Sequence, residues 1–260
     1  MDPFFILGAR DPEMEEIERV LDADGIKWTR ATAEGRHVRS ATAYQATGVS
    51  GLLPQAPREL VFVECDVLGL DADNLCDHHN PGDPGYGRDA QEYLQGSSLG
   101  QVLTLLGKEP TREQRIIAAA DHCLTYAYRG DCPGVDPEEL ADWRERSRAS
   151  RFGLTHEEIQ MRIRIAMSAL ERAERIEIAD ESVAWFPDKA ITPLELAEAS
   201  ARIGLPIAYI THLDPERSVY RAKCGIKNAK PETVRAWMRD CNLDHVYGAP
   251  ARGYASGYAI

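Results

Sequence analysis

The chain has 260 residues, enough for one or two domains with a large hydrophobic core. Its 30 basic and 42 acidic residues give a formal net charge of −12 at pH 7. This balance argues against a basic face for duplex DNA, which requires many phosphate contacts. It leaves open a small phosphate-bearing substrate, because a few arginines or bound metal ions supply local positive charge.

Targeting signals and cysteines point to an ordinary intracellular chain. No apolar run is long enough to span a bilayer, and "MDPFFILGARDPEMEE" turns acidic without the basic start of a signal peptide. We therefore expect a cytoplasmic protein with no membrane association. The 6 cysteines contain no CxxC pair, which argues against a structural zinc site. We expect them to be reduced and mostly buried.

Strands and helices alternate in the N-terminal half. "PFFILGA" is typical of a short buried strand, and the following sequence predicts a helix with Asp11 as N-cap and Pro12 at its first position. "LVFVECD" is a continuous apolar run that suits a parallel strand buried on both faces. Helices are also predicted at "AQEYLQGSSLGQVLTLLG" and "TREQRIIAAADHCLTYAYRG". This alternation predicts an α/β sheet.

The pattern changes after residue 152. "THEEIQMRIRIAMSALERAERI" predicts a long amphipathic helix, with Thr155 and Glu158 in a capping-box pattern. Strands are then predicted at "ESVAWFP", "PIAYITHL" and "SVYRAKCG", and helices at "TPLELAEASARIG" and "PETVRAWMRDC". We expect domains at 1–152 and 181–260, joined by a connecting helix at 153–180. That helix could serve as an interdomain strut or as a homodimer contact, and the sequence leaves both open.

Acidic and imidazole side chains follow the predicted strands of the N-terminal half. Ligands collect at the carboxyl ends of strands in an open α/β sheet, and converging carboxylates require a neutralising cation. Carboxylate and imidazole ligands together suit Mn²⁺, Mg²⁺ or Fe²⁺. Taken singly, Glu13 and Glu15 could instead be helix-dipole partners, and Asp66 could cap a turn. The set comprises Glu13, Glu15, Asp66, Asp77, His78, His79 and Asp121, with His122 next to Asp121.

The order of these residues resembles the DHH phosphoesterase superfamily, which includes RecJ-type exonucleases, nanoRNases, cyclic-dinucleotide phosphodiesterases and family II inorganic pyrophosphatases. "CDHH" carries the motif that gives the family its name. The family's first motif reads His-x-Asn-Pro-Asp-x-Asp-x-Ile, and "ARDPEMEEI" has the same spacing. Glu13 and Glu15 take its two aspartate positions, whereas Ala9 stands in place of its histidine.

The resemblance implies a ligand set and catalytic roles. Asp66 resembles the second-motif aspartate and Asp121 the fourth-motif aspartate, with Asp131 in "YRGDCPG" as a rival. Asp77 would orient a histidine, and His79 would contact the phosphate or assist the leaving group. The family's two Mn²⁺ or Mg²⁺ ions would then be held by Glu13, Glu15, Asp66, His78 and Asp121. Ala9 would weaken one of the two metal sites, because it offers no ligand.

The C-terminal half is similar to the substrate-binding domain associated with this family. "SVYRAKCG", "PETVRAWM" and "PARGYASGY" follow in the family's order. Arg252 stands where a phosphate-binding histidine is usual, and Arg221 is a second candidate phosphate contact. Gly253 and Gly257 would allow the backbone to approach a ligand closely. The implied fold is a mostly parallel N-terminal sheet with helices on both faces, followed by a smaller α/β domain with a mixed sheet.

The resemblance implies a metal-dependent phosphoesterase that uses a metal-activated water. Its substrate would be a short nucleotide: a nanoRNA, a linear or cyclic dinucleotide, or a nucleoside bisphosphate. An alternative stays open, in which the protein binds or sequesters a nucleotide with weak or no hydrolysis. Ala9 and the two glutamates motivate this alternative, because they depart from the family pattern and a fold does not guarantee a chemistry.

Overall fold

The computed structural model of the chain describes residues 3–40, 42–51, 53, 59–188, 190–211 and 222–259. The chain divides into two compact units, Met1–Glu139 and Leu140–Ile260. The division falls inside a helix, Pro137–Phe152, that the sequence placed wholly in the first domain. Arg221, a predicted phosphate contact, lies outside the described residues, as does the start of the "SVYRAKCG" segment.

The first unit combines a sheet with short helices. Its strands are β1 (Phe4–Leu7), β2 (Trp28–Ala33), β3 (Arg36–His37), β4 (Gly48–Val49), β5 (Leu60–Val63) and β6 (Asn74–Cys76). Its helices are α1 (Pro12–Ala23), α2 (Tyr93–Gly96), α3 (Ser98–Leu105), α4 (Arg112–His122) and α5 (Leu124–Tyr128).

The central strands of this sheet are parallel. The order is β3-β2-β1-β5-β6, and β4 also pairs with β2. Strands β2, β1, β5 and β6 run parallel, whereas β3 and β4 are antiparallel to β2. In register, Leu7 faces Val63, and Val63 faces Cys76. The residues that follow β1, β5 and β6 therefore emerge at one edge of the sheet.

Apolar side chains fix both faces of this sheet. On one face, Phe4, Ile6 and Phe62 belong to a buried cluster with Ala43 and Val67. The alternate residues of β1 are also buried, as period-two packing requires. Helix α1 packs against α3 and α4, and α3 packs against β6. The carboxyl edge of the sheet is thus bordered by helices that start or end near it.

The second unit holds the remaining elements, together with most of the helix that spans the division. Its helices are α6 (Pro137–Phe152), α7 (His156–Arg172), α8 (Leu196–Ile203) and α9 (Pro231–Asp240). Its strands are β7 (Arg175–Ile178), β8 (Glu181–Phe186), β9 (Ile207–Thr211), β10 (Lys223–Lys227), β11 (Asp244–Ala249) and β12 (Tyr254–Tyr258).

The second sheet is mixed, in the order β11-β12-β10-β9-β8-β7. Strands β8 and β9 are parallel, and the other neighbours are antiparallel. Helices α7 and α8 pack together through a cluster that includes Leu170, Phe186, Leu196 and Ile207. The predicted fold class, an α/β chain with a mostly parallel first sheet and a mixed second sheet, is confirmed.

Local sequence signals explain several helix boundaries. The Asp11 side chain accepts a hydrogen bond from the Met14 amide at 2.8 Å, with Pro12 opening α1 as predicted. Thr155 and Glu158 form the predicted capping box of α7. Among the described residues, no helix is both long and apolar enough to cross a membrane.

Candidate metal centre

Three carboxylates and one imidazole converge at the carboxyl edge of the first sheet. Glu13, Glu64, His78 and Asp121 each offer one ligand atom, and these atoms all lie within 4.8 Å of one another. Glu13, Glu64 and His78 are buried, and Asp121 is partly buried. Four different elements supply them: the start of α1, the end of β5, the segment after β6 and the end of α4.

Glu64 enters the cluster through an unusual backbone conformation. It directly follows β5 and has a φ of 50°, in the left-handed region that non-glycine residues rarely adopt. Its amide donates to the Cys76 carbonyl at 3.1 Å, and its Oε1 accepts from Ser98 Oγ at 2.8 Å. Such a conformation costs on the order of 1 kcal/mol or more and recurs at functional sites. Here it accompanies a carboxylate that is buried within the sheet edge.

Glu13 is the second residue of α1 and is only 2% exposed. The Leu99 amide, in the first turn of α3, donates to its Oε1 at 3.0 Å. Its Oε2 is buried and has no hydrogen-bond partner among the described residues. A buried carboxylate oxygen with no partner is costly, so this atom is one that a cation would satisfy.

Burial and nearby negative charge disfavour the ionised forms of Glu13 and Glu64. Burial, followed by the charges of Asp121 and Glu64, raises the pKa of Glu13 well above its ordinary value. Burial, followed by the charge of Asp121, raises the pKa of Glu64 to about 8. A divalent cation would relieve both causes, because it replaces lost solvation and neutralises the like charges. The donor set of carboxylates and imidazole is one that Mn²⁺ and Mg²⁺ accept.

His78 is held by His122, which the sequence placed beside Asp121 without assigning it a role. Its Nδ1 lies 2.8 Å from Nδ1 of His122, whose Nε2 lies 2.9 Å from the Arg88 carbonyl oxygen. A carbonyl only accepts, so His122 Nε2 carries hydrogen; with His122 neutral, its Nδ1 accepts from His78 Nδ1. His78 Nε2 is then the atom aimed at the carboxylates, 3.1 Å from Asp121 Oδ2 and 3.5 Å from Glu64 Oε1.

Asp77 organises the segment that carries both histidines. Its Oδ1 accepts from the amides of His78 and His79, at 2.6 and 3.0 Å, and lies 3.0 Å from His79 Nδ1. Its Oδ2 accepts from the Tyr44 hydroxyl at 2.9 Å. Burial would raise the pKa of Asp77, but the hydrogen bonds and charge of His79 outweigh it and hold that pKa below its ordinary value. The ionised carboxylate thus orients His79.

Other polar contacts fix Asp77 and leave His79 facing outward. Gln101 accepts from the Asp77 amide at 3.0 Å and donates to its carbonyl at 3.1 Å. The His79 side chain is 32% exposed, whereas that of His78 is fully buried. His79 forms a second candidate ligand group with Glu64 and His78. One histidine therefore faces the buried carboxylates, and the other reaches solvent beside them.

Two acids expected in the ligand set lie outside the cluster. Glu15 forms an exposed ion pair with Arg10 at 2.8 Å. Asp66 is exposed, and Glu64, two residues earlier, occupies the buried position at the end of β5. Between the rivals for the last acid, Asp121 joins the cluster, whereas Asp131 is exposed. Ala9 follows β1 and offers no ligand atom.

The predicted substrate contacts of the second unit are Arg252, Gly253 and Gly257, and each of them packs against neighbouring residues of that unit. Arg252 lies over the Tyr254 ring, 5.8 Å from its centroid. Gly253 has a φ of 72°, and a Cβ there would come within 2.8 Å of the Ala229 carbonyl oxygen. A Cβ on Gly257 would come within 2.9 Å of the Leu243 side chain. Turn conformation and packing thus account for both glycines.

Sequence reasoning missed several residues that build the centre: Tyr44, Glu64, Ser98 and Gln101. One signal was available for Glu64, because it is an acid inside an otherwise apolar strand segment. His122 stands next to Asp121 in "AAADHC", but nothing in that segment indicates which side chain it contacts. Tyr44, Ser98 and Gln101 are ordinary polar residues whose roles arise from tertiary contacts alone.

Comparisons with known proteins add little to this geometry. No family model matches the chain, and no curated protein matches it. Among solved structures, the chain is similar to a pGpG-specific phosphodiesterase, PggH, from Vibrio cholerae. The two share 10% sequence identity, with 100% of this chain and 94% of that chain covered and a TM-score of 0.40. At that level the likeness shows no family and lends no residue its role.

Proposed function

We propose that this chain is a metal-dependent phosphoesterase of the DHH type that hydrolyses a short nucleotide. The observation that carries the proposal is the buried group of Glu13, Glu64, His78 and Asp121. Burial and the charge of Asp121 raise the pKa of both Glu13 and Glu64, and a cation would offset both effects. Their position at the carboxyl edge of a parallel sheet is the usual place for a ligand in this architecture.

The four residues would hold one Mn²⁺ or Mg²⁺ ion, with Glu64 in the role that the resemblance assigned to Asp66. When bound, such a cation supplies Lewis acidity, which activates water near neutral pH and offsets charge on a phosphoryl oxygen. The overlapping group of Glu64, His78 and His79 adds little for a second ion, because His78 has only Nε2 to offer and the first ion would take it. Ala9 and the exposed Glu15 leave that second position with fewer ligands than the family pattern supplies.

His79 is the residue best placed to meet the substrate. Its Nδ1 is directed at the Asp77 carboxylate, so the ring presents Nε2 away from Asp77. An imidazole oriented by a carboxylate can hold a proton at Nε2 and donate it to a leaving oxygen. His78, in contrast, is buried and oriented by His122, which suits a ligand. The two adjacent histidines therefore have different roles in the proposal.

The nucleotide class comes from the resemblance and from the charge of the chain. The order of the C-terminal motifs is similar to that of the nucleotide-cleaving branch of the family. A net charge of −12 disfavours long polyanions and favours a nanoRNA, a dinucleotide or a nucleoside bisphosphate. Arg252, with Arg221 as a further candidate, would bind a phosphate of such a substrate.

A second candidate function is nucleotide binding without hydrolysis. Ala9 in place of the first-motif histidine, and Glu15 paired with Arg10 outside the cluster, favour it. A centre with one ion could hold a phosphate yet lack the clamp on both the attacking and the leaving oxygen that paired metals provide.

A hydrolysis assay separates these candidates. The chelator-treated protein is supplied with Mn²⁺ and a panel of linear and cyclic dinucleotides, a trinucleotide RNA and a nucleoside 3′,5′-bisphosphate. If the chain is a hydrolase, the wild type releases mononucleotide or phosphate, and a His78→Ala, His79→Ala double variant does not. Turnover equal to that of the double variant refutes hydrolysis. Calorimetric binding of a dinucleotide that is recovered intact then supports the binder.

A further inference from the structure

Two cysteines of the first unit lie with their sulfur atoms in contact. Sγ of Cys123 is 3.0 Å from Sγ of Cys132. A disulfide bond is about 2.05 Å long and requires side chains that already point at each other. Closing this gap takes a movement of about 1 Å, which is within the range of a small side-chain rotation. Both residues are thiols in the structure.

We propose that Cys123 and Cys132 form a reversible disulfide when the protein meets a peroxide-class oxidant. The bond would link Cys123, the residue directly after α4, to the segment that precedes α6. The inference is independent of the metal centre and of the proposed hydrolysis. It assigns a modification site to the two cysteines, which the sequence alone indicated only as reduced residues.

Hydrogen bonds on both sides of Cys132 hold the two thiols in register. Gln91 Nε2 donates to the Asp131 carbonyl at 2.7 Å, and the Tyr93 hydroxyl donates to the Pro133 carbonyl at 3.1 Å. The Asp131 amide in turn donates to the Tyr126 carbonyl at 3.0 Å. Since the intervening segment, which contains α5, is already folded back in the reduced protein, the crosslink adds little ordering of the chain.

A backbone hydrogen bond also fixes the position of Cys123. Its amide donates to the Ala119 carbonyl at 3.0 Å, which anchors it to the last turn of α4. Cys123 is partly exposed, whereas Cys132 is 2% exposed. Cys123 is therefore the thiol that an oxidant in solution can reach first, and Cys132 is the neighbour placed to resolve the product.

The chemistry balances with hydrogen peroxide as the oxidant. The Cys123 thiolate attacks one peroxide oxygen, the O–O bond breaks, and a sulfenic acid and water form once the released hydroxide takes up a proton. The Cys132 sulfur then attacks the Cys123 sulfur, the S–O bond breaks, and a second water leaves. Two thiols lose two electrons and two protons in total, and the peroxide takes them up. A dithiol reductant reverses the bond by exchange.

Peptide mapping tests the proposal on the full-length protein. The protein is treated with hydrogen peroxide, unfolded in the presence of an alkylating reagent and digested with trypsin. Cleavage after Arg115, Arg129 and Arg144 separates the two cysteines into peptides 116–129 and 130–144. We expect these peptides to be recovered as one crosslinked species with a mass about 2 Da below their sum, which disappears after dithiothreitol treatment.

Variants give the matched comparison. Cys132→Ser should abolish the crosslinked species and leave Cys123 as a sulfenic acid that dimedone traps, whereas Cys241→Ser should leave the crosslink intact. Recovery of the two wild-type peptides separately, with both cysteines alkylated or overoxidised, would overturn the proposal. Because this readout uses the wild-type protein, it decides the question even where Cys132→Ser fails to fold.

Discussion

The Nδ1 atoms of His78 and His122 lie 2.8 Å apart in the buried centre of the first unit. Because His122 Nε2 faces the Arg88 carbonyl at 2.9 Å, this contact selects the tautomer of His78 that has hydrogen on Nδ1. The other nitrogen of His78 is thereby directed at Asp121 and Glu64. His122 thus acts on the candidate ligand set through His78, as outer hydrogen-bond partners of metal-binding histidines commonly do.

Replacing His122 with phenylalanine should weaken Mn²⁺ binding. An aromatic ring is kept, but the hydrogen bond that fixes the His78 tautomer is lost. Loss of such an outer partner typically lowers metal affinity about 10- to 100-fold. Calorimetric titration of chelator-treated protein with Mn²⁺ measures the effect. The exposed His37→Phe variant serves as control, and equal affinities for the two variants would remove His122 from the account.

Gly96 offers a second way to disturb the same contact. A Cβ at this position would come within 2.4 Å of His122 Nε2, so Gly96→Ala should push the imidazole away from His78 and Arg88. We expect Mn²⁺ affinity to fall about tenfold or more, as for loss of the His122 hydrogen bond itself. At Gly48 a Cβ would meet only Thr32 Oγ1, at 3.5 Å, which makes Gly48→Ala the matched control. Unchanged affinity in a folded Gly96→Ala protein would contradict the geometry.

Two pairs of acids separate the structural ligand set from the one that the family motifs suggest. Glu64→Gln and Glu13→Gln should each lower Mn²⁺ affinity by about 100-fold, since removing a ligand costs at least as much as removing its outer partner. Asp66→Asn and Glu15→Gln should leave it within about twofold, because both side chains are exposed. If the Asp66 variant loses affinity and the Glu64 variant keeps it, the ligand assignment is wrong.

Lys227 should make stability rise with pH in the alkaline range. Burial, followed by the charges of Lys223, Arg144 and Arg148, lowers the pKa of Lys227 from 10.5 to about 8. Between pH 8 and 10.5 the unfolded chain therefore holds more protons, and the free energy of unfolding increases with pH. At pH 7 the wild-type amine is charged in this unfavourable environment, so Lys227→Met should be more stable than the wild type by about 1–2 kcal/mol. The difference is this small because the side chain is partly exposed.

Urea unfolding of both proteins between pH 7 and 10.5 checks this prediction. The advantage of the Lys227→Met variant should shrink through the window as the wild-type amine loses its proton. Other groups that titrate in this range, such as tyrosines, are common to both proteins, so the difference isolates Lys227. A difference that stays constant across the window would contradict the assignment.

Local signals predicted much of the first unit and of the long helices. Asp11 with Pro12, and Thr155 with Glu158, are short-range capping patterns, and the structure contains both. Strands β3 and β4 have two residues each, which is too short for an alternating apolar and polar pattern to be recognised in the sequence. Strand β12 lies in "PARGYASGY", the segment that resembles a phosphate-binding motif, and the structure has a helical turn there that leads into the strand.

The site was predictable in its location and less so in its membership. The carboxyl edge of the sheet followed from the order of strands and acids. Whether Glu64 or Asp66 points inward depends on the left-handed backbone at Glu64, which no propensity indicates. The selection of Asp121 over Asp131 depends on where α4 ends. His122 contacts His78 only because the end of α4 lies beside the segment that follows β6. Tertiary contacts decided each of these memberships.

The most direct test is a crystal of the protein grown with Mn²⁺ and measured for anomalous scattering at the manganese edge. We expect an anomalous peak within bonding distance, about 2.0–2.3 Å, of Glu13, Glu64, His78 and Asp121. A fully occupied ion bound instead by Glu15 or Asp66, or no peak near His78 at saturating Mn²⁺, would contradict it.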